Sequence, residues 1–217
     1  MIEKKDRKQI TKDWLMFFPE FCEYKTMHIL RRNGPFLCGI HLQTYSSNEY
    51  YDVIFHIQNL MVHFPVIYFG TPSFLLNAKG AKEGISLVRH REEIEDITLR
   101  LKKEIKLLDS QQIELDDLIA YIHKSVKQSA IYPDDSLRDT ILSLFWFGKK
   151  DKAEKELMRA KELIGTWPEN VTQRFNGVEG WEKQVRELMN MDVLNATIEN
   201  QLHKFKLDKL TDYRLVP

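Results

Sequence analysis

The sequence predicts an α+β protein: an N-terminal helix and an antiparallel β-meander of three to four strands, followed by an all-helical C-terminal layer. Three observations carry this reading. Residues 33–60, NGPFLCGIHLQTYSSNEYYDVIFHIQNL, hold two runs of alternating apolar and polar residues across a short polar break, the pattern of a hairpin with one buried face. Residues 3–18 place Ile10, Trp14, Phe17 and Phe18 at three- and four-residue spacing, as one face of a helix requires. From Arg89 onward strand alternation stops and apolar residues recur at helical spacing. The expected organisation is a helix plus meander over residues 1–70, a loop or bridging segment over 71–88, and a helical region over 89–217.

The elements follow in order. Pro19 ends the first helix. Residues 24–32 read as a strand, with Met27 and Ile29 on one face and His28 and Leu30 on the other, and Asn33-Gly34-Pro35 as a turn. In the next strand Phe36, Cys38, Ile40, Leu42 and Thr44 share a face; in the one after it Tyr51, Val53, Phe55 and Ile57 do. If both sets line one core, the numbers of paired residues sum to an odd value. A sum of 97 turns the chain at Asn48-Glu49 and sets His41 opposite His56. A sum of 95 turns it at Ser47-Asn48 and sets His56 opposite Gly39. Both registers fit the pattern. A further strand is expected at residues 66–69, which leaves a second sheet face carrying His28, His41, Gln43, Asp52, His56 and Gln58. Gly70, Pro72, Asn77, Gly80 and Gly84 punctuate a long loop. Ile94, Ile97, Leu101, Ile105 and Leu108 then form one helical stripe, and Leu115, Leu118, Ile119, Ile122 and Val126 another. Pro133 starts a third helix that Gly148 ends; a fourth spans residues 151–164, and two more cover 179–190 and 192–206.

The totals narrow the function. The chain has 217 residues, 43% of them hydrophobic, enough for one sizeable core or two small ones sharing an interface. Lys plus Arg and Asp plus Glu are 32 each, so there is no basic excess of the kind nucleic-acid binders carry, and a nucleic-acid partner is not expected. No apolar stretch approaches the ~18 residues of a membrane span, and no secretory leader precedes the first helix, so the reading is a soluble cytoplasmic protein with no membrane partner. Cys22 and Cys38 form no CxxC and read as buried free thiols.

The histidines are the sharpest chemical question. His28, His41 and His56 lie on neighbouring strands, with Asp52 near, and imidazole plus carboxylate is a metal-ligand set. His41 and His56 could instead act as a general acid and base in an RNase-like cleavage, because histidine titrates near neutral pH. Against both stands a purely structural role on a half-exposed sheet face. With no HExxH, HxH or Cys/His cluster, no metal is expected; with no GxGxxG or phosphate-binding loop, no cofactor is. Tyr45, Glu49, Tyr50, Tyr51 and Asp52 flank the hairpin turn, where burial is difficult. An aromatic–acidic tip of this kind suits contact with a protein partner.

Residues 140–164, TILSLFWFGKKDKAEKELMRAKELI, resemble one tetratricopeptide-type helical hairpin: aromatics close the first helix, Gly148 turns the chain, and Ala153, Leu157 and Ala160 face back. No second copy is present. A leading helix, a strand with a basic end (HILRRNGPFLCGIHL), a meander and then helices also resembles the layout of small bacterial α+β immunity proteins of polymorphic toxin systems. The resemblance implies a stoichiometric inhibitor or adaptor with no chemistry of its own, and carries no family residue over. The leading expectation is therefore a non-enzymatic interaction module, an immunity or defence component bound to a protein such as a basic toxin. The alternative is a hydrolase or nuclease using His41 and His56. A third reading is a homo-oligomer joined through the stripe from Ile94 to Leu108.

Overall fold

The computed structural model describes residues 2–46, 49–128 and 132–217. It is an α+β fold whose contacts divide into two compact units. One holds Met1–Gln58, Tyr68–Glu114 and Lys209–Val216; the other holds Asn59–Ile67, Leu115–Asp208 and Pro217.

The first unit begins with α1 (Lys4–Phe17), whose buried residues are Ile10, Thr11 and Trp14. The sheet follows: β1 (Cys22–Lys25), β2 (His28–Asn33), β3 (Phe36–Thr44), β4 (Tyr50–Asn59), β5 (Ser73–Phe74) and β6 (Gly84–Ser86). Its order is β1-β2-β3-β4-β5, and β6 also pairs with β4. The strands β2 and β3 run antiparallel with His28 opposite His41, Ile29 opposite Ile40 and Leu30 opposite Gly39. Helix α2 (Leu87–Glu104) is capped by Ser86, whose hydroxyl accepts from the Arg89 amide. The unit closes with a short parallel pair, β7 (Ile113–Glu114) and β8 (Leu215–Val216).

Three expectations change here. Residues 24–32 are two strands joined by a turn, not one. Met27 takes φ +69, a left-handed conformation that sequence reasoning reserves for Gly, Asn or Asp, so the turn carried no signal. Residues 66–69 form no strand; Tyr68 and Phe69 lie against the second sheet face instead. The long loop does contain two short strands, β5 and β6, both added to β4. The two registers considered for β3 and β4 turn on Ser47 and Asn48, which lie outside the described residues. The His56 ring over Gly39 agrees with the sum of 95.

Helix α2 belongs with the sheet, not with the helices after it. Lys102 donates to the Phe17 carbonyl at 2.8 Å and lies over the Phe18 ring, tying α2 to the end of α1. Arg31 on β2 is wholly buried and donates to the carbonyls of Leu107 and Ser110, fixing the turn after α2. Ile97, Leu101, Ile105 and Leu108 are buried in this unit's own core, so the stripe considered for a homo-oligomer is already used.

The second unit holds α3 (Leu115–Gln128), α4 (Asp134–Trp146), α5 (Lys150–Gly165), α6 (Glu169–Thr172), α7 (Gly177–Leu188) and α8 (Met191–Lys204). The helices α4 and α5 form the expected hairpin, turning at Gly148, and Ala153, Leu157, Ala160 and Ile164 are its buried face. The segment after β4 is held by side-chain amides. Asn59 Nδ2 donates to Asp139 Oδ1 at 2.8 Å, and the Phe64 amide donates to Gln201 Oε1 at 3.0 Å. Burial raises the Asp139 carboxyl to about 6, against the opposing pull of Arg138 and Asn59. Among the described residues no helix is long and apolar enough to cross a membrane.

Candidate functional site

The histidine face is not open. His28, Asp52, His56 and Gln58 are all buried, although the alternating polar residues of three strands read as a half-exposed face. Residues 68–70 close it. The Tyr68 amide donates to Gln58 Oε1 at 3.2 Å, and the Ile57 amide donates to the Gly70 carbonyl at 3.0 Å. Between these two anchors Phe69 is laid over the three imidazoles, its ring centroid 4.8 Å from those of His41 and His56 and 5.9 Å from that of His28.

Gly39 makes the cluster possible. Strands β2 and β4 flank β3, so their side chains start two strand spacings apart, about 9.6 Å. A Cβ on Gly39 would lie 2.1 Å from His56 Nε2. Its absence lets the His56 ring lean across β3 until its Nε2 is 2.9 Å from His28 Nε2. The ring centroids of His28 and His41 are also 5.1 Å apart, nearly perpendicular.

Hydrogen bonding assigns the protons. Gln43 Nε2 donates to the Thr44 carbonyl at 2.9 Å, which points Gln43 Oε1 at His41. His41 therefore donates through Nε2, at 3.1 Å, and its Nδ1 is a lone pair with no partner. His56 Nδ1 also lacks a partner. A buried lone pair is cheaper to leave unmet than a buried N–H, so His56 donates through Nε2 to His28 Nε2. All three imidazoles are held neutral. Burial drives His28 down to about 3, helped by His41 and Lys25; burial, then His28 and His41, drives His56 well below its ordinary value; burial also lowers His41 against the bond to Gln43.

No family model, curated protein or solved structure matches this chain. Among the described residues no group of three or more His, Cys, Asp and Glu side chains is arranged to hold a metal ion. Asp52, considered with the histidines as a ligand, instead accepts a hydrogen bond from the Tyr45 hydroxyl at 2.8 Å. The acid–base pair is divided: His41 lines an open cleft, whereas His56 is 0% exposed under Phe69 and has no path to a substrate. The structure joins His56 to His28 rather than presenting it beside His41.

The hairpin end also divides. Tyr51 is 0% exposed and belongs to the core, and Asp52 is 6% exposed. Neither is available to a partner. Tyr45 and Tyr50 stay 37% and 39% exposed, and Glu49 is exposed beside them. Both tyrosines are nonetheless fixed: Tyr45 by its bond to Asp52, Tyr50 by lying over Gly84, where a Cβ would come within 2.6 Å of the ring. Their ring centroids are 6.1 Å apart. Of the two cysteines expected to be buried, Cys38 is, and its thiol is pushed up by burial; Cys22 is exposed on β1, a strand at the sheet's edge.

Two features had no sequence signal. Phe69 acts through contacts with three distant strands. Tyr51 works through a buried chain: Trp14 Nε1 donates to its hydroxyl at 3.1 Å, the hydroxyl donates to His90 Nδ1 at 2.7 Å, and His90 Nε2 donates to Asp13 Oδ2 at 3.0 Å. His90 and Asp13 are 77 residues apart, beyond the reach of any local pattern.

Proposed function

We propose that the protein acts by binding a protein partner through the β3–β4 hairpin end, with Tyr45, Glu49 and Tyr50 as the contact and no chemistry of its own. The observation that carries this is the pair of half-exposed tyrosines already locked in place. A rigid aromatic anchor loses little conformational freedom on binding, so more of its contact area becomes affinity. Exposed Glu49 beside the two tyrosines gives the hairpin end an acidic side chain, which suits a partner with a basic face through electrostatic steering. In this reading the partner is of the basic-toxin or defence-complex kind that the layout resemblance implies, and the protein is its cytosolic immunity component. A reducing cytosol also suits the exposed Cys22 thiol.

The test is capture from the host cell with tagged wild-type chain and with a Tyr50→Ala, Glu49→Lys variant, followed by reconstitution with the purified partner. The expected result is a stoichiometric partner whose Kd rises at least about tenfold in the variant, as loss of a central aromatic anchor and a charge reversal together predict. A partner held equally well by both chains places the contact elsewhere.

A further inference from the structure

We infer that the cleft over His41 is a binding site for a small organic anion, a phosphate or carboxylate head carried on an apolar body. The cleft lies wholly within the first unit and has a volume of about 550 Å³, within the usual range for small-molecule sites. Its polar wall includes Lys4, Arg7, Thr26, His41 and Gln43, with exposed Glu3 at the edge.

Arg7 decides the ligand's charge. Its Nε donates to the Ile2 carbonyl at 3.0 Å, so the guanidinium is anchored and half-buried. Elsewhere in the molecule arginines face carboxylates: Arg31 faces Glu20, Arg89 faces Glu83 and Glu93, Arg100 faces Glu83, and Arg186 faces Glu154 and Glu182. Among the described residues Arg7 has no such partner, and neither does Lys4. An anchored guanidinium with both terminal nitrogens unused presents a planar fork that matches two oxygens of a carboxylate or phosphate.

The remaining walls define the rest of the ligand. Ile2, Met27 and Leu42 are buried apolar side chains that also line the cleft, and they favour an apolar body behind the charged head. His41 is held neutral and already donates to Gln43, so it adds shape and an N–H dipole, while Lys4 and Arg7 supply the charge. The site is independent of the hairpin end. Its failure leaves the partner-binding reading standing, and the reverse also holds.

The experiment uses the full chain and follows the imidazole Cε1–H signals by NMR, with His41 assigned from a His41→Gln variant. The probes are phenyl phosphate, benzoate and, as a neutral analogue, benzyl alcohol. The expected result is a saturable shift of the His41 signal with one or both anions, and none with benzyl alcohol. A preference between the two anions identifies the head group. Arg7→Gln is expected to weaken binding at least about tenfold, as loss of a bidentate charged contact predicts. Lys4→Gln, at an exposed position that does not bear on folding, is expected to weaken it severalfold. No saturable shift up to about 10 mM of either anion, equal binding of benzyl alcohol, or full affinity in both variants would each overturn the proposal.

Discussion

On one side of the sheet His90 is fully partnered; on the other, His28, His41 and His56 are not. Tyr51 and His56 sit on the same strand at positions of opposite parity, so their side chains leave opposite faces. At Tyr51 the chain from Trp14 through Tyr51 and His90 to Asp13 has a donor-only indole at one end and a carboxylate at the other, so the hydroxyl and both ring nitrogens between them are partnered. Such a network rigidifies the junction of α1, β4 and α2. Among the described residues, the cluster under Phe69 keeps the His28–His56 bond and the bond from His41 to Gln43, and leaves the Nδ1 atoms of His41 and His56 unmet. The same residue type is thus buried once at little cost and three times at some cost. The second arrangement is the one that acid should find.

The largest expected effect follows from that difference. A histidine whose folded pKa lies below its unfolded value binds more protons in the unfolded chain. Its stabilisation is therefore complete above the unfolded pKa of about 6.5 and is lost as pH falls toward the folded pKa. Each such group contributes up to about 1.4 kcal/mol per pH unit in that window. For His28, with a folded pKa of about 3, the whole window amounts to about 5 kcal/mol. Urea unfolding at intervals between pH 6.5 and 5 should show stability dropping with pH, less steeply than the histidines alone would give, because Asp139, raised to about 6, takes up its proton in the folded chain and opposes the drop in wild type and variants alike. The slope should shrink in His28→Gln and His56→Gln chains. An identical slope in wild type and both variants would mean that these imidazoles are not kept neutral by the fold.

The partnered side is tested by Tyr51→Phe. The substitution preserves the ring and removes only the hydroxyl, leaving the Trp14 indole N–H and His90 Nδ1 without partners in a buried site. Two orphaned buried groups cost about 3 kcal/mol together. The loss should appear in urea unfolding at pH 7.5 with the acid slope unchanged. A loss below about 1 kcal/mol would reduce the chain to a local contact.

The same comparison shows what could be read in advance. The helices were legible because Ile97 and Leu101, or Leu137, Ile141 and Leu144, repeat at a period that only a helix satisfies. The β3–β4 hairpin was legible because Phe36 to Leu42 and Tyr51 to Ile57 alternate cleanly. The β1–β2 turn was not, because Met27 takes a left-handed conformation imposed by its surroundings. Its amide is held by the Thr11 hydroxyl at 2.8 Å and its carbonyl by the Leu42 amide at 2.8 Å. Alternation identified the second face of the sheet but could not show that Phe69 covers it, because a covering segment obeys no strand or helix period. For the same reason Tyr45 and Tyr50 could be placed at the hairpin end from sequence, whereas Tyr51 was separated from them only by the pleat, which turns alternate residues inward. Lys4, Arg7 and Thr26 meet His41 only through the path of the folded chain.

The smallest expected effect sharpens the comparison where it depends on a single missing atom. Gly39→Ala puts a methyl group where the His56 ring now lies, and that ring is sealed beneath Phe69 with little room to retreat. Overpacking of this kind costs about 2 kcal/mol. The displaced ring should also lose its 2.9 Å bond to His28, so both imidazole Cε1–H signals should move while that of His90, on the opposite face, stays put. Unfolding at pH 7.5 together with these three NMR signals distinguishes the outcomes. If stability falls and all three signals shift, the two faces are coupled through β4 and the contrast between them is one of degree. If only the signals of His28 and His56 shift, the cluster is a separate arrangement whose geometry Gly39 sets.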